Sequence, residues 1–135
     1  MAEPILPLQP AIIAALKAHA PLAAIVGTKV YDRVPANTEP PYITITGWQI
    51  VEDGTDCADA VEIFFDVQIF SVNGGISQAA YMAGYVRDAL HRLTPAIAGW
   101  ANTEVLYRGA QYFTESDGVT TRVVCSFQAL TDSAT

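Results

Sequence analysis

The stretch VEIFFDVQIFSV at residues 61–72 decides the fold, because it is the clearest secondary-structure signal in the chain. From Val61 to Ile69 every second residue is a large apolar one, and this period of two predicts a strand with one apolar face. The opposite face mixes acidic and amide side chains with Phe64 and Phe70. Because large exposed apolar groups mark contact sites, we expect a loop or another chain to cover these two phenylalanines.

Upstream of this strand the sequence predicts two helices and two strands. Gln9–His19 has apolar residues at helical spacing, and a second short helix after Pro21 ends at Gly27. A short strand is predicted within Lys29–Val34, and a half-buried strand over Tyr42–Thr46.

Downstream, an acidic loop is predicted over Val51–Ala60, and a long helix over Gln78–Leu93 with Ser77 as its N-cap. Two strands follow at Thr103–Thr114 and Val119–Leu130, joined by a type I′ turn at Asp117-Gly118.

The position of the turn in this terminal hairpin predicts which residues of its two strands lie opposite each other. We expect Tyr112 opposite Val123 and Ala110 opposite Cys125, with Cys125 as a small core residue. The same face is predicted to carry Leu106 and Phe127.

Helices on one face of a sheet bury the apolar side of both, so the list of elements predicts an α+β, two-layer domain. We expect a mainly antiparallel sheet of four to five strands, with one long and one or two short helices on one face. The length of 135 residues favours a single domain spanning 1–135.

Composition narrows the function classes. With 51% hydrophobic and 16% charged residues, the chain is predicted to fold into a globular domain without needing a metal ion or a disulfide bond. A net charge of −7 disfavours nucleic-acid binding, which depends on neutralising phosphates with Lys and Arg.

The longest apolar stretch, residues 11–26, is interrupted by Lys17 and Pro21, so we expect no membrane span. Two cysteines without a CxxC pair indicate reduced thiols in a cytoplasmic protein.

No catalytic, cofactor or metal site is predicted. His91 and Asp88 share a helix face, which would let the carboxylate orient the ring, but such pairs are common on solvated helices. The acidic residues 53–59 do not match a calcium loop, although converging carboxylates remain an alternative. Asn73-Gly74-Gly75 lacks the lysine and further glycines of phosphate-binding loops.

One combination of segments is more specific. Residues 22–27 (LAAIVG), 30–35 (VYDRVP) and 41–43 (PYI), followed by 85–91 (YVRDALH) and a hairpin over 108–127, resemble the tail-completion, or tail-to-head joining, proteins of long-tailed bacteriophages and related gene-transfer particles. The resemblance covers nearly the whole chain.

The resemblance implies a non-enzymatic tail terminator: a subunit of a ring, commonly a hexamer, that caps the tail tube and docks a filled head. Its implied partners are further copies of itself, the tail-tube protein and a head-side connector protein, with DNA passing through the lumen without specific binding. The implied location is the head-proximal end of the virion tail, after assembly in the cytoplasm of a host bacterium.

A closed ring needs two different surfaces on each subunit. Our candidates are the strand face with Phe64 and Phe70, and the segment containing Tyr31, Arg33 and Tyr42. Alternatives are a small ligand-binding or enzymatic α+β domain that uses its sheet face, and another connector or tail-tube subunit.

Overall fold

The helices all lie on one face of a single five-stranded sheet. The computed structural model describes residues 3–52, 60–73 and 75–133. In these ranges the helices are α1 (Ile5–Ala18), α2 (Ala20–Val26) and α3 (Ser77–Leu90), and the strands are β1 (Val30–Tyr31), β2 (Tyr42–Glu52), β3 (Ala60–Ser71), β4 (Trp100–Thr114) and β5 (Thr121–Ser133).

The sheet has the strand order β1-β2-β3-β5-β4. Only the short β1 runs parallel to its neighbour, and the other pairings are antiparallel. The predicted α+β class with helices on one face is confirmed.

The core lies between the helices and the apolar face of the sheet. In β3 the predicted alternation is exact, with every second residue from Val61 to Ile69 buried. Aromatic rings fill the centre: Phe65 stacks on Trp48 at 4.9 Å and on Phe127 at 5.5 Å between ring centroids. Cys125 is fully buried, as the sequence indicated.

Strand β2 is longer than predicted, because it continues past Thr46 through a bulge. The pairing with β3 shifts by one residue between Thr46 and Gln49, and Gly47 in that bulge has a φ of 69°. The shift turns Trp48 onto the core, and β2 then runs to Glu52. The acidic loop is therefore shorter than predicted at both ends, and its residues 53–59 lie outside the described residues.

Two helix boundaries differ from the prediction. Helix α1 begins at Ile5 rather than Gln9, because Pro7 occupies its first turn, where no amide donor is needed, and Leu8 is fully buried. Helix α3 begins at Ser77 itself, and the preceding Ile76 offers no side-chain cap.

Helix α3 also ends earlier than predicted, at Leu90 rather than Leu93. The residues that follow turn to bond β4 instead: the Arg92 amide donates to the Val105 carbonyl at 2.7 Å, and the Val105 amide donates to the Leu93 carbonyl at 2.9 Å. These strand-like bonds replace the last helical turn.

The hairpin has the predicted register at its outer end, where Tyr112 lies opposite Val123 and Ala110 opposite Cys125. A bulge between Tyr107 and Gly109 shifts the pairing by one residue. The prediction for Leu106 was therefore wrong: it pairs with Gln128 on the face away from the helices.

The turn of the hairpin was also wrongly predicted. Its two strands end at Thr114 and Thr121, and the Glu115 amide donates to the Thr120 carbonyl across a wider loop. A type I′ turn needs positive φ at both central residues, but Gly118 has a φ of 74° and Asp117 is not in that region. Asp117 instead caps the loop, accepting hydrogen bonds from the amides of Val119 and Thr120 at 2.8 Å.

Candidate functional site: the uncovered sheet face and its edges

The second face of the sheet carries no helix from the described part of the chain. Its side chains are half-buried by one another rather than by another layer. In β3 they include Phe64 and Phe70, the two aromatic residues that the strand pattern had placed on this side.

One row of side chains crosses four strands at one end of this face. Tyr42, Phe70, Arg122 and Phe113 occupy paired positions on β2, β3, β5 and β4. Tyr42 stacks on Phe70 with ring centroids 4.8 Å apart. The guanidinium carbon of Arg122 lies 4.5 Å from the centroid of Phe113. We call these four residues the aromatic row.

The aromatic row is held rigid from one end. Arg122 donates from Nε to Glu115, so its planar head is fixed over the Phe113 ring. Burial, and secondarily the nearby charge of Glu115, raise the pKa of Tyr42, so its hydroxyl stays protonated and remains a hydrogen-bond donor. Rigid amphipathic aromatic groups with an arginine are the residue types enriched at interface anchors.

The predicted interface residues occupy three places. Tyr31 lies half-buried on β1 beside Thr44, and Arg33 is exposed just beyond that strand. Tyr42 contacts Phe70, so the two surfaces proposed from the sequence are in fact joined. Phe64 lies farther along the face, opposite Gln49 and Gln128.

The uncovered face is acidic. Its regular strand positions carry Glu62, Asp66, Glu104 and Asp132 against Arg122, which is itself paired with Glu115. An acidic surface repels phosphate and attracts a basic partner surface.

The structure adds an apolar surface that sequence reasoning missed. Ile76, Tyr112, Phe113 and Val119 are 58%, 41%, 40% and 60% exposed and line an open cavity of about 300 Å³ at the end of the hairpin. They come from three separate segments, so nothing in the sequence joins them. The adjacent aromatic residues at 112 and 113 near a strand end were the one available signal.

A groove of about 400 Å³ lies between α2 and α3. Its lining residues include Ile25, Tyr81 and Tyr85 with the polar Ser77 and Gln78. The amide oxygen of Gln78 is already engaged by the Ser71 hydroxyl. The groove is open and offers phenols, a hydroxyl and amides rather than an acid–base pair.

The sequence candidates for chemistry are held by other partners. The His91 Nδ1 atom accepts a hydrogen bond from the Tyr107 amide at 3.0 Å, which ties the end of α3 to β4. The Asp88 carboxylate lies 3.8 Å from Arg87 Nε. Burial raises the pKa of the Cys125 thiol to about 12, so it remains a neutral core group.

Across residues 3–52, 60–73 and 75–133 no group of three or more His, Cys, Asp or Glu side chains is placed to hold a metal ion. The candidate calcium loop, residues 53–59, lies outside these ranges, as does Gly74 of the candidate phosphate turn.

None of the described helices alone is long and apolar enough to cross a membrane. Only α1 and α2 together reach that length and composition, and they are bent by 86°.

Comparison with known proteins identifies the family. The sequence model of the family Tail completion protein gp17 matches residues 10–132, which include most of α1, all of α2 and α3, and every strand up to residue 132. The chain belongs to this family. It is therefore a structural protein of phage-type tails, as the resemblance of its segments had implied.

The fold of this tail completion protein recurs in a solved structure. A chain in the virion of a native gene transfer agent particle superposes with a TM-score of 0.88 at 22% sequence identity, over 98% of this chain and 99% of the other. At this identity the match establishes a shared fold. No curated protein matches the sequence.

Proposed function

We propose that this tail completion protein forms a closed ring, of six copies, that caps the tail tube and joins the tail to the head. The family match over residues 10–132 carries the proposal. The partners are further copies of the chain, the tail-tube protein on one side and a head-side connector on the other. The site of action is the head-proximal end of the virion tail, after assembly in the host bacterial cytoplasm.

The surface of the subunit supports assembly rather than catalysis. The aromatic row, with Tyr42, Phe70 and Arg122, lies on a sheet face that the described helices leave open. A folded domain exposing such a surface reduces its contact with water by binding another protein. Tyr31, on the outer strand β1, and Arg33, just after that strand, extend this surface to the margin of the sheet.

The charge of the chain supports a conduit for DNA. A subunit with a net charge of −7 gives a ring of six a large negative charge, and like charge keeps DNA from adhering. DNA then passes through the lumen without specific binding. Retention of DNA by the purified ring at physiological salt would contradict this part of the proposal.

The first experiment measures the mass of the purified protein by light scattering across a concentration series, then adds tail tubes and images them by electron microscopy. A closed ring, or a cap at one end of the tubes, is the expected result. Long filaments would favour a tube subunit, and a strict monomer that ignores tubes would favour a ligand-binding domain.

Matched variants locate the contact. Phe70→Ala and Arg33→Ala should weaken ring or cap formation, because both remove side chains from the proposed surface. Leu6→Ala, like Phe70→Ala, removes a large apolar side chain, but Leu6 lies on α1, on the other side of the molecule, where it is 75% exposed. This control variant should leave assembly unchanged. Equal assembly by all three variants would refute the assigned surface.

A further inference from the structure

Strand β4, at one margin of the sheet, and β2, which the two-residue β1 covers only in part, each leave half of an edge uncovered. Strand β1 pairs with β2 only at Ile43 and Thr44, so no described strand lies beside β2 from Thr46 to Glu52. At the opposite margin, residues 91–93 bond the outer edge of β4 at Val105 and Tyr107, but no described segment bonds the outer edge of Gly109–Thr114. Uncovered edges present backbone donors and acceptors to another chain.

Backbone bonds show which residues of β4 face outward. Val105 both donates to Leu93 and accepts from Arg92, so its amide and carbonyl point away from β5. Outward and inward residues alternate along an antiparallel strand, and the β4 bulge shifts that alternation by one. The outward residues of the uncovered half are Ala110, Tyr112 and Thr114.

The same argument applies to β2. The Ile43 amide donates outward to the Lys29 carbonyl at 3.0 Å, and the β2 bulge shifts the alternation by one residue. The outward residues of its uncovered half are Trp48, Ile50 and Glu52.

We propose that these two uncovered half-edges pair with each other between neighbouring copies, so that β4 of one copy lies beside β2 of the next and the two sheets join into one. The inference rests on the proposed ring and names the contact that closes it. Three successive antiparallel pairings make β4 run opposite to β2, so a neighbour in the same orientation presents an antiparallel partner. Such a contact is heterologous and therefore suited to a ring.

The pairing has a definite register. Placing Tyr112 opposite Ile50 of the next copy also joins Ala110 to Glu52 and Thr114 to Trp48, so every outward residue gains a partner. Arg108, exposed on the β4 bulge, then lies beside the acidic Glu52, which adds a favourable charge pair.

This register fits a closed assembly. Within one copy, Tyr112 aligns across the sheet with Ile69 of β3, and Ile50 aligns with Ile63 of β3. Ile69 and Ile63 are six residues apart, so pairing Tyr112 with Ile50 of the next copy displaces that copy by about 20 Å along the strands. Each copy contributes four strands, or about 19 Å of width. The strands of a ring built this way tilt by about 45° from its axis, at the upper end of the range for closed barrels.

A disulfide tests the register directly. In it, Gln111 lies opposite Val51 of the next copy as a non-bonded pair, with Cα atoms about 4.5 Å apart, within disulfide range. Both side chains are exposed, so Gln111→Cys and Val51→Cys should leave the fold intact. The chain has two native cysteines: Cys57 is replaced by serine, and Cys125 is buried with a thiol pKa of about 12.

The double-cysteine protein is oxidised at the concentration where rings or tube caps form, and resolved under denaturing conditions without reductant. We expect a ladder of covalent multimers, absent from each single variant and from a control pairing Gln111→Cys with Leu6→Cys. Rings or caps without the ladder would overturn this inference and leave the proposed function standing. A protein that forms no ring, no cap and no ladder would overturn both.

A backbone variant supplies an independent check. Tyr112→Pro removes the outward amide, which an edge strand tolerates when that amide faces solvent. Its matched control, Tyr112→Thr, also removes the ring but keeps the amide. We expect Tyr112→Pro to raise the concentration at which rings form about tenfold or more above that of Tyr112→Thr, with similar melting temperatures. Equal ring formation by the two variants would contradict the pairing.

Discussion

Replacing Gly47 by alanine tests the bulge that extends β2 and turns Trp48 onto the core. Gly47 has a φ of 69°, where a side chain is strained, and an added Cβ would lie 2.8 Å from Oδ2 of Asp66. Gly118 is the matched control, because its φ is 74° but a Cβ there meets nothing within 4 Å. The difference between the two variants isolates the contact with Asp66.

The magnitudes follow from these two features. The left-handed conformation costs an L-residue about 1–2 kcal/mol, and losing glycine's freedom in the unfolded chain offsets about 0.4–1 kcal/mol of that. We therefore expect Gly118→Ala to lower the free energy of unfolding by roughly 1 kcal/mol. Gly47→Ala also displaces the Asp66 side chain from its rotamer, which adds about 0.5–1.5 kcal/mol.

Urea unfolding followed by tryptophan fluorescence measures both variants, since Trp48 lies in the bulge and stacks on Phe65. In an Asp66→Ala background the extra cost of Gly47→Ala should disappear, while the cost of Gly118→Ala should persist. If Gly47→Ala costs no more than Gly118→Ala, or costs the same with and without Asp66, then the bulge geometry is wrong.

Three further predictions concern single side chains. Phe65→Ala should lower the free energy of unfolding by about 3–5 kcal/mol, because it removes a buried ring that stacks on Phe127. Phe64→Ala, on the uncovered face, should lower it by less than half of that. Equal losses of stability in urea unfolding would refute the assignment of faces. Hydrogen bonds from Thr120 and Val119 lower the pKa of Asp117 below the ordinary value of an aspartate, so this stabilisation is fully present above that ordinary pKa and is lost as pH falls through the lowered pKa. The unfolding free energies of the wild type and Asp117→Asn should therefore converge in acid, and a constant difference across the titration would refute the capping role. Cys125 should react with a thiol reagent, in a Cys57→Ser background, only as fast as the protein unfolds, and faster labelling would show an accessible thiol.

The parts of the fold that were predictable are those in which local pattern and tertiary packing agree. The alternation of β3 follows from side-chain periodicity, and the outer register of the hairpin follows from the position of its turn; both are confirmed. Among the candidate interface residues, Phe70 was selected from that alternation and Tyr42 from the segment that resembles the phage family. Their contact at 4.8 Å was not predicted, because it depends on which strands become neighbours.

The errors occur where long-range bonds compete with local preference. The bulge in β4 moved Leu106 to the opposite face, since one extra residue reverses the alternation of a strand. The end of α3 moved from Leu93 to Leu90 because β4 offered strand-like partners to residues 91–93. Neither bulge has a local pattern strong enough to be seen in a single sequence.

The sequence by itself determined the α+β class, the apolar faces and the acidic charge, because periodicity and composition are properties of neighbouring residues. It also indicated the family, through the order of short segments from residue 22 to 127. Only the tertiary structure decided that the aromatic row crosses four strands and that half of each sheet edge stays open. Those features depend on strand order and on where the bulges and residues 91–93 lie against β2 and β4, which are fixed by contacts between segments far apart in the chain.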